Sequence, residues 1–413
     1  MGAIRLLLAI GLLCAVGGAQ AAGKDSKLYD CSRPCPKADF NYKIAVEIKP
    51  TVILGSPLYY VSRQITGADE PDDWVLAPTL HAEPGKSFSV KIRNKISRKL
   101  SKLLGPPSPN RTDYVREANP TDGPYSAAKP YGFQFVGEQP DAGNDMSIVG
   151  NNKAYAINIP HQYDATNIHF HGLTITPHLF EPIGTDEAKA DFIKIAPGEC
   201  YCYSFTLPED HPDGTFWYHI HHHGSAALQS WSGMAGLFIV KGPTDEVLEE
   251  YSKKQMQSSV PFVIWDPHTV PLDKNHSAYT LVATKKAADK YREYIQVGDF
   301  LSDQNDADKA YTLVNNALVP NMTAVAGQTI RFRVLCATTE AMCMFRLVDK
   351  NGKPHPFYDF ASDGITQTEA IKRYQLIQAG GYRDDVLVQI TRPGKYKFIQ
   401  QALSNMQFFG MGG

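Results

Sequence analysis

The stretch APGECYCYSFTLPEDHPDGTFWYHIHHHGS, Ala196 to Ser225, reads as two β-strands joined by a turn rich in proline and aspartate. Cys200 and Cys202 alternate on the first strand, and on the second three aromatic residues lead into His219 and His221, two apart. Working outward, INIPHQYDATNIHFHGLTITP (Ile157 to Pro177) and DFIKI (Asp191 to Ile195) precede it, and GMAGLFIVKG (Gly233 to Gly242) follows. All carry strand character. Further upstream, YKIAVEIKP (Tyr42 to Pro50) and SFSVKIRNKI (Ser87 to Ile96) alternate apolar and polar residues on either side of a turn at Pro84-Gly85. Short strands at turn-punctuated spacing define an all-β sandwich or barrel.

A second block has the same character. VPFVIWDP, YTLVNNALVPNMTAVAGQTIRFRVLCA, MFRLVDKNGKPHPF and YRDDVLVQITRPGKYKFIQQ are again short strands. EPGKSFSVKIRN in the first block and VAGQTIRFRVL in the second share one pattern, a glycine turn followed by an alternating strand. Two copies of one Greek-key unit account for it. Between the blocks, TDEVLEEYSKKQMQS (Thr244 to Ser258) reads as a short helical linker. The expected organisation is therefore a signal segment (1–21), an N-terminal segment (22–41) and a first domain (42–243) with a long insertion at about 98–155. A linker (244–258), a second domain (259–402) and a tail (403–413) follow.

Bulk composition narrows the function classes. The 413 residues carry a net charge of −2, which gives no support for nucleic-acid binding through a basic surface. Arg5, the apolar run Leu6 to Val16 and the small residues Ala19-Gln20-Ala21 form a secretory signal pattern with cleavage after Ala21 or Ala22. No segment approaches the ~20 apolar residues of a membrane span. A secreted or periplasmic location is expected. Cys14 leaves with the signal, and six cysteines remain. Export favours disulfides; Cys31 and Cys35 could bridge locally, but connectivity is not readable from sequence.

Thirteen histidines are present, crowded between His161 and His223. His169 and His171 form one H-x-H, and His219 and His221 a second. Residues two apart on a strand share a face, with Cα atoms about 6.6 Å apart. One such pair can converge on a single metal or splay across two ions of a cluster. Two such strands side by side offer four imidazoles, which suit copper, zinc, iron or nickel. Neighbouring carboxylates are lacking, which argues against calcium or magnesium. His222 points away from His221, towards solvent or behind the ligands, and His223 supports the site without ligating. His81, His161, His178, His211, His268, His276 and His355 are isolated, with surface or hydrogen-bonded structural roles.

TNIHFHGL (Thr166 to Leu173) and GTFWYHIHHHGS (Gly214 to Ser225) resemble the first two copper motifs of multicopper oxidases, the family of laccases and ascorbate oxidases. APGECYCYSFTLPEDHPDGTFWYH and SGMAGLFIV resemble the runs that surround those motifs. LVNNALVPNMTAVAGQTIRFRVL and RDDVLVQ resemble the family's copper-free middle domain. The resemblance spans roughly Tyr42 to Gln401. It implies two tandem cupredoxin-like Greek-key β-sandwiches or barrels. It implies that His169 ligates the single copper of a trinuclear cluster and His171, His219 and His221 the paired coppers, with Trp217 and Tyr218 packed behind. Such a cluster reduces dioxygen to water with electrons from a blue copper.

The sequence departs from the family pattern in one respect. It contains no H-C-H and no HPxHxH, which supply the other half of the cluster and the blue copper; Pro354-His355-Pro356 is a lone histidine. A third copper-bearing domain is expected to be absent, leaving a partial trinuclear site. Completion would need a partner chain, with dioxygen and an unknown reducing substrate as reactants. Two other readings compete. One is a non-catalytic copper-binding or sequestering protein. The other is a zinc site of hydrolase type, which lacks a glutamate beside the histidines to act as base.

Overall fold

The structure is a computed structural model. It describes residues 29–52, 59–66, 77–96, 165–176, 178–181, 191–222, 226–230, 233–266, 270–271, 279–280, 312–339 and 342–400. The expected signal segment, the insertion at about 98–155 and the tail at 403–413 lie outside these residues.

The first block contains β1 (Phe40–Val52), β2 (Tyr59–Thr66), β3 (Leu80–Ala82), β4 (Ser87–Asn94), β5 (His169–His171), β6 (Phe180–Glu181) and β7 (Asp191–Phe192). It continues with β8 (Cys200–Thr206), β9 (Gly214–His219), the short α1 (Ala226–Ser230) and β10 (Ala235–Val240). The charged segment expected to be helical forms α2 (Pro243–Gln255), with Asp245 and Glu246 in its first turn, where the helix dipole favours negative charge. Beyond it lie β11 (Met256–Trp265), β12 (Val270–Pro271), β13 (Tyr279–Thr280), β14 (Leu313–Val314) and β15 (Thr329–Cys336). The remaining strands are β16 (Cys343–Asp349), β17 (Pro354–His355), β18 (Phe357–Ser362), β19 (Ile365–Arg373), β20 (Leu376–Gln378), β21 (Arg383–Gln389) and β22 (Tyr396–Gln400).

Each block is a β-sandwich. In the first, a sheet in the order β12-β13-β2-β1-β4-β8 faces a sheet in the order β3-β10-β9-β5. In the second, β14-β11-β15-β21-β18-β19 faces β17-β16-β20, with β22 paired to β16. The β12–β13 hairpin follows α2 in sequence yet pairs with β2, so the chain revisits the first sheet before completing the second block. The repeated glycine-turn pattern occupies equivalent places. β4 lies between a parallel β1 and an antiparallel β8, and β15 between a parallel β11 and an antiparallel β21. Gly85 and Gly327, which open these two turns, have φ of 71° and 91°, a region open to glycine at little cost.

Strand alternation builds three cores. On β9, Phe216 and Tyr218, followed by Ile220, point into the first sandwich with Phe88, Phe170 and Phe238. On β15, Ile330, Phe332, Val334 and Cys336 point into the second. The opposite faces meet: Trp217, Leu237 and Ile239 pack against Val263, Trp265 and Leu335 in a third apolar cluster between the blocks. Beside it, Arg331 and Arg333 of β15, Asp385 of β21, Asp245 of α2 and Thr215 of β9 form a buried hydrogen-bonded network. Strands covered on both faces explain why GTFWY of β9 is buried throughout.

The cysteines pair across the fold. Cys31 bonds Cys200 and Cys35 bonds Cys202, so the local bridge open to Cys31 and Cys35 is not made; Cys336 bonds Cys343. The first two bridges strap the N-terminal loop to β8 across separations of 169 and 167 residues. Closing one loop of that length is worth about 5 kcal/mol in chain entropy; the second bridge adds less, because it closes only the short segments between the two. Among the described residues no helix is long and apolar enough to cross a membrane.

Candidate metal centre

β5 and β9 run antiparallel, with His169 opposite His219 and His171 opposite Trp217. Directly opposed residues share a face and lie within side-chain reach. Phe170 and Tyr218 take the core face, which leaves both histidines of β5 with His219 on the side turned towards the second block. Gly172, with φ of 85°, ends β5 in a turn and leaves room beside the Arg383 guanidinium, which a Cβ there would meet at 2.9 Å.

The cluster is compact. One ring nitrogen from each of His169, His171 and His219 lies within 4.8 Å of the other two. His171 Nδ1 stands 3.3 Å from His219 Nε2. His219 Nδ1–H donates to the Ile220 carbonyl at 2.9 Å, which assigns its proton and turns the Nε2 lone pair to the cluster. His221 follows β9, and its ring centroid is 5.3 Å from that of His169 and 5.8 Å from that of His219. Its backbone N–H donates to Asn167 Oδ1 at 2.9 Å, and Asn167 itself is fully buried. The structure thus joins His169, His171 and His219 as a three-nitrogen set and puts His221 alongside. Trp217 lies beside the histidines, not behind them: its ring stacks on His219 (centroids 4.3 Å, planes 25°) and on His171 (5.1 Å, 28°). Tyr218 does lie behind, and its hydroxyl donates to the Pro78 carbonyl at 2.6 Å.

The other histidines divide. His222 is buried, not in solvent. His211 is structural: Nδ1–H donates to the Pro212 carbonyl, and Nε2 accepts from the Thr174 N–H. His355 bonds the Gln389 carbonyl through Nε2. His178 is not isolated; it is buried and stacks on His169 at 5.0 Å with planes 12° apart. Its sequence context, a proline-flanked turn without periodicity, carries no signal of this. His161, His223, His268 and His276 lie outside the described residues.

The donor set fits a metal ion: ligation requires neutral imidazole, and the site enforces that form. Nδ1 of His169 is buried without a hydrogen-bond partner among the described residues. Burial, then the neighbouring His219, pushes His169 down to about 2. Burial holds His219 at about 3 and His178 at about 4. Burial first and the Arg383 charge second depress His171.

This electrostatics predicts an acid limb for the metal-free chain. Below pH 6.5 the unfolded histidines take up protons that the folded ones refuse, so the folded state loses stability as pH falls. Each such histidine contributes about 1.4 kcal/mol per pH unit across the window from 6.5 to its folded value. Asp384, raised to about 6 by burial, works in the opposite sense between about pH 6 and 4, and Asp359, also raised by burial, works in the same direction as Asp384, but the depressed histidines outnumber these two carboxyls. The urea midpoint of the metal-free protein should be flat from pH 8 to 7 and fall steadily below 6.5; a midpoint unchanged at pH 5 contradicts this.

A family profile described as "Multicopper oxidase" matches residues 148–245, the segment that carries all four histidines. "Iron transport multicopper oxidase FET5" of Saccharomyces cerevisiae is 39% identical over 82 residues, 20% of this chain and 12% of that protein. "Laccase-1" of Trametes villosa is 27% identical over 247 residues, 58% of this chain and 37% of that one. Among solved structures, the laccase-like multi-copper oxidase CueO of Ochrobactrum sp. aligns with a TM-score of 0.52 at 17% identity, covering 89% of this chain and 60% of its own. A multi-copper oxidase of Pediococcus acidilactici aligns at 0.52 and 18%, covering 90% and 58%. At such identities the structural likeness establishes the fold, which is all-β and cupredoxin-like. Over residues 148–245 the chain matches the multicopper oxidase family profile, and the relatives it resembles are multicopper oxidases and laccases. It spans 12% and 37% of the length of these two curated relatives.

Proposed function

We propose that this chain carries half of a trinuclear copper site, with His169, His171, His219 and His221 as its ligands. The observation that supports this most strongly is the cross-strand pairing of His169 with His219, which gathers three ring nitrogens within 4.8 Å. When bound, such copper supplies the reduction of dioxygen to water, coupled to one-electron oxidations of a reducing substrate. The chain's own residues contribute orientation and dryness. Ile220 and Trp217 hold His219, Trp217 also holds His171, and the second block packs against Trp217. The remaining ligands and the electron-entry copper come from a further cupredoxin unit or partner chain. Three disulfides favour an oxidising compartment, secreted or periplasmic.

One observation favours a second reading, a non-catalytic copper-binding protein. The three-nitrogen set offers a single ion a complete tridentate seat without help from another chain. Copper titration against a chelator, run beside an oxygen electrode, tests both. Expected is copper binding that the His169→Ala/His219→Ala double variant loses, with no oxygen uptake by the chain alone. One bound equivalent supports the second reading, and more than one supports the half-cluster. Zinc retained with copper rejected would overturn both, and oxygen turnover by the isolated chain would overturn the need for a completing unit.

A further inference from the structure

We propose that His178 is a positioning residue for the His169 ring, a fifth imidazole that orients the cluster without ligating; the inference rests on the copper reading above. A metal-binding histidine ordinarily donates its second ring N–H to a carboxylate or carbonyl, which fixes the ring plane. His219 follows that rule through Ile220. His169 does not: its Nδ1 is buried with no hydrogen-bond partner among the described residues. What holds its plane is the nearly parallel His178 ring, with centroids 5.0 Å and planes 12° apart.

His178 is itself fixed at two points. Its Nε2 accepts the Phe170 backbone N–H at 2.7 Å, and the ring makes a second hydrogen bond to the Thr176 backbone. An accepting Nε2 carries no proton, so the proton sits on Nδ1, and Nδ1–H is the donor to the Thr176 carbonyl. Both nitrogens are then engaged, which excludes His178 as a ligand. The acceptor role has a topological cause. Among the described residues β5 is the edge strand of its sheet, paired with β9 on one side. The Phe170 N–H, which lies between the two ligand-bearing residues, points away from β9 and needs a partner inside a buried environment. His178 supplies it. One side chain therefore pins the backbone between His169 and His171 and sets the plane of the first of them. The Phe205 and Tyr203 rings, at 5.3 Å and 6.1 Å, wall it in edge-on.

The test separates the two bonds of His178 and does not depend on turnover. In the metal-free wild-type protein, ring 15N shifts should show His178 as the neutral Nδ1–H tautomer; an Nε2–H tautomer overturns the proposal without any variant. His178→Gln keeps an acceptor for the Phe170 N–H but removes the stacked ring. His178→Phe keeps a ring but removes the acceptor. Expected for His178→Gln is near-native exchange protection of the Phe170 amide, with copper affinity down ten- to a hundredfold and altered Cu(II) hyperfine splitting in electron paramagnetic resonance. Expected for His178→Phe is about tenfold faster exchange of that amide, with a smaller loss of affinity. Wild-type affinity and an unchanged Cu(II) spectrum in His178→Gln would overturn the proposal. If wild type binds no copper, the copper reading fails, while the tautomer and the exchange data still decide whether His178 pins the backbone between His169 and His171.

Discussion

Replacing Asp385 by asparagine should destabilise the chain by about 3–5 kcal/mol, the usual cost of removing one member of a buried ion network. Asp385 is buried and accepts from three residues at once. Its Oδ1 accepts the Thr215 hydroxyl at 2.5 Å, and its Oδ2 accepts Arg331 Nε at 3.1 Å together with Arg331 Nη2 and, at 3.4 Å, Arg333 Nη1. Asp245, in the first turn of α2, accepts one nitrogen from each arginine, Arg331 Nη1 at 2.7 Å and Arg333 Nη2. Two arginines and two aspartates balance in charge, and Thr215 carries the network into β9. Asparagine fits the same space but leaves the arginines with one carboxylate between them, out of water. A partial rescue separates charge from shape: Arg331→Met combined with Asp385→Leu should recover part of the loss, because replacing both members of a buried pair by apolar residues is far cheaper than orphaning one. Urea denaturation at pH 7 checks both variants. An Asp385→Asn midpoint within 1 kcal/mol of wild type would mean that water reaches the network and that it does not clamp the two blocks.

What could be read in advance, and what could not, follows from the range of the forces involved. The period of two in HFH is local, so the shared face of His169 and His171 was legible, whereas the pairing of β5 with β9 joins residues about fifty positions apart and is not encoded locally. The glycine-turn repeat, also local, was legible and marks equivalent strands in both blocks. The alternation IRFRVL was also visible, but alternation alone is equally compatible with a solvent-facing side. Only the packing of β9 against β15 shows that Arg331 and Arg333 face another sheet. Disulfide connectivity depends on where the N-terminal loop crosses β8, which no local pattern encodes. His178 was illegible because its task, satisfying the free edge of β5, arises only once that strand has, among the described residues, a single neighbour.

Trp217→Ala should lose stability and copper together, because one indole serves both the interface between the blocks and the histidines. Its buried ring packs with Leu237, Trp265 and Leu335, and removing a core tryptophan typically costs 3–5 kcal/mol. The second block is shaped to this ring. Gly381, with φ of 86°, approaches so closely that a Cβ there would sit 3.1 Å from Trp217 Cζ2, so the backbone itself forms the wall. On its other contacts the indole stacks on His219 and His171, whose facing nitrogens lie 3.3 Å apart. Alanine would free both rings to rotate, and copper affinity should fall at least tenfold, in the range expected when a group that orients metal ligands is lost. Trp217→Phe keeps an aromatic face and should retain most of the affinity while losing part of the stability. Urea midpoints of the metal-free proteins and competitive copper titrations of the folded ones measure the two effects separately. A Trp217→Ala chain that is weakened but still binds copper as wild type does would show that the imidazoles hold their positions unaided, and that the tryptophan matters to the fold alone.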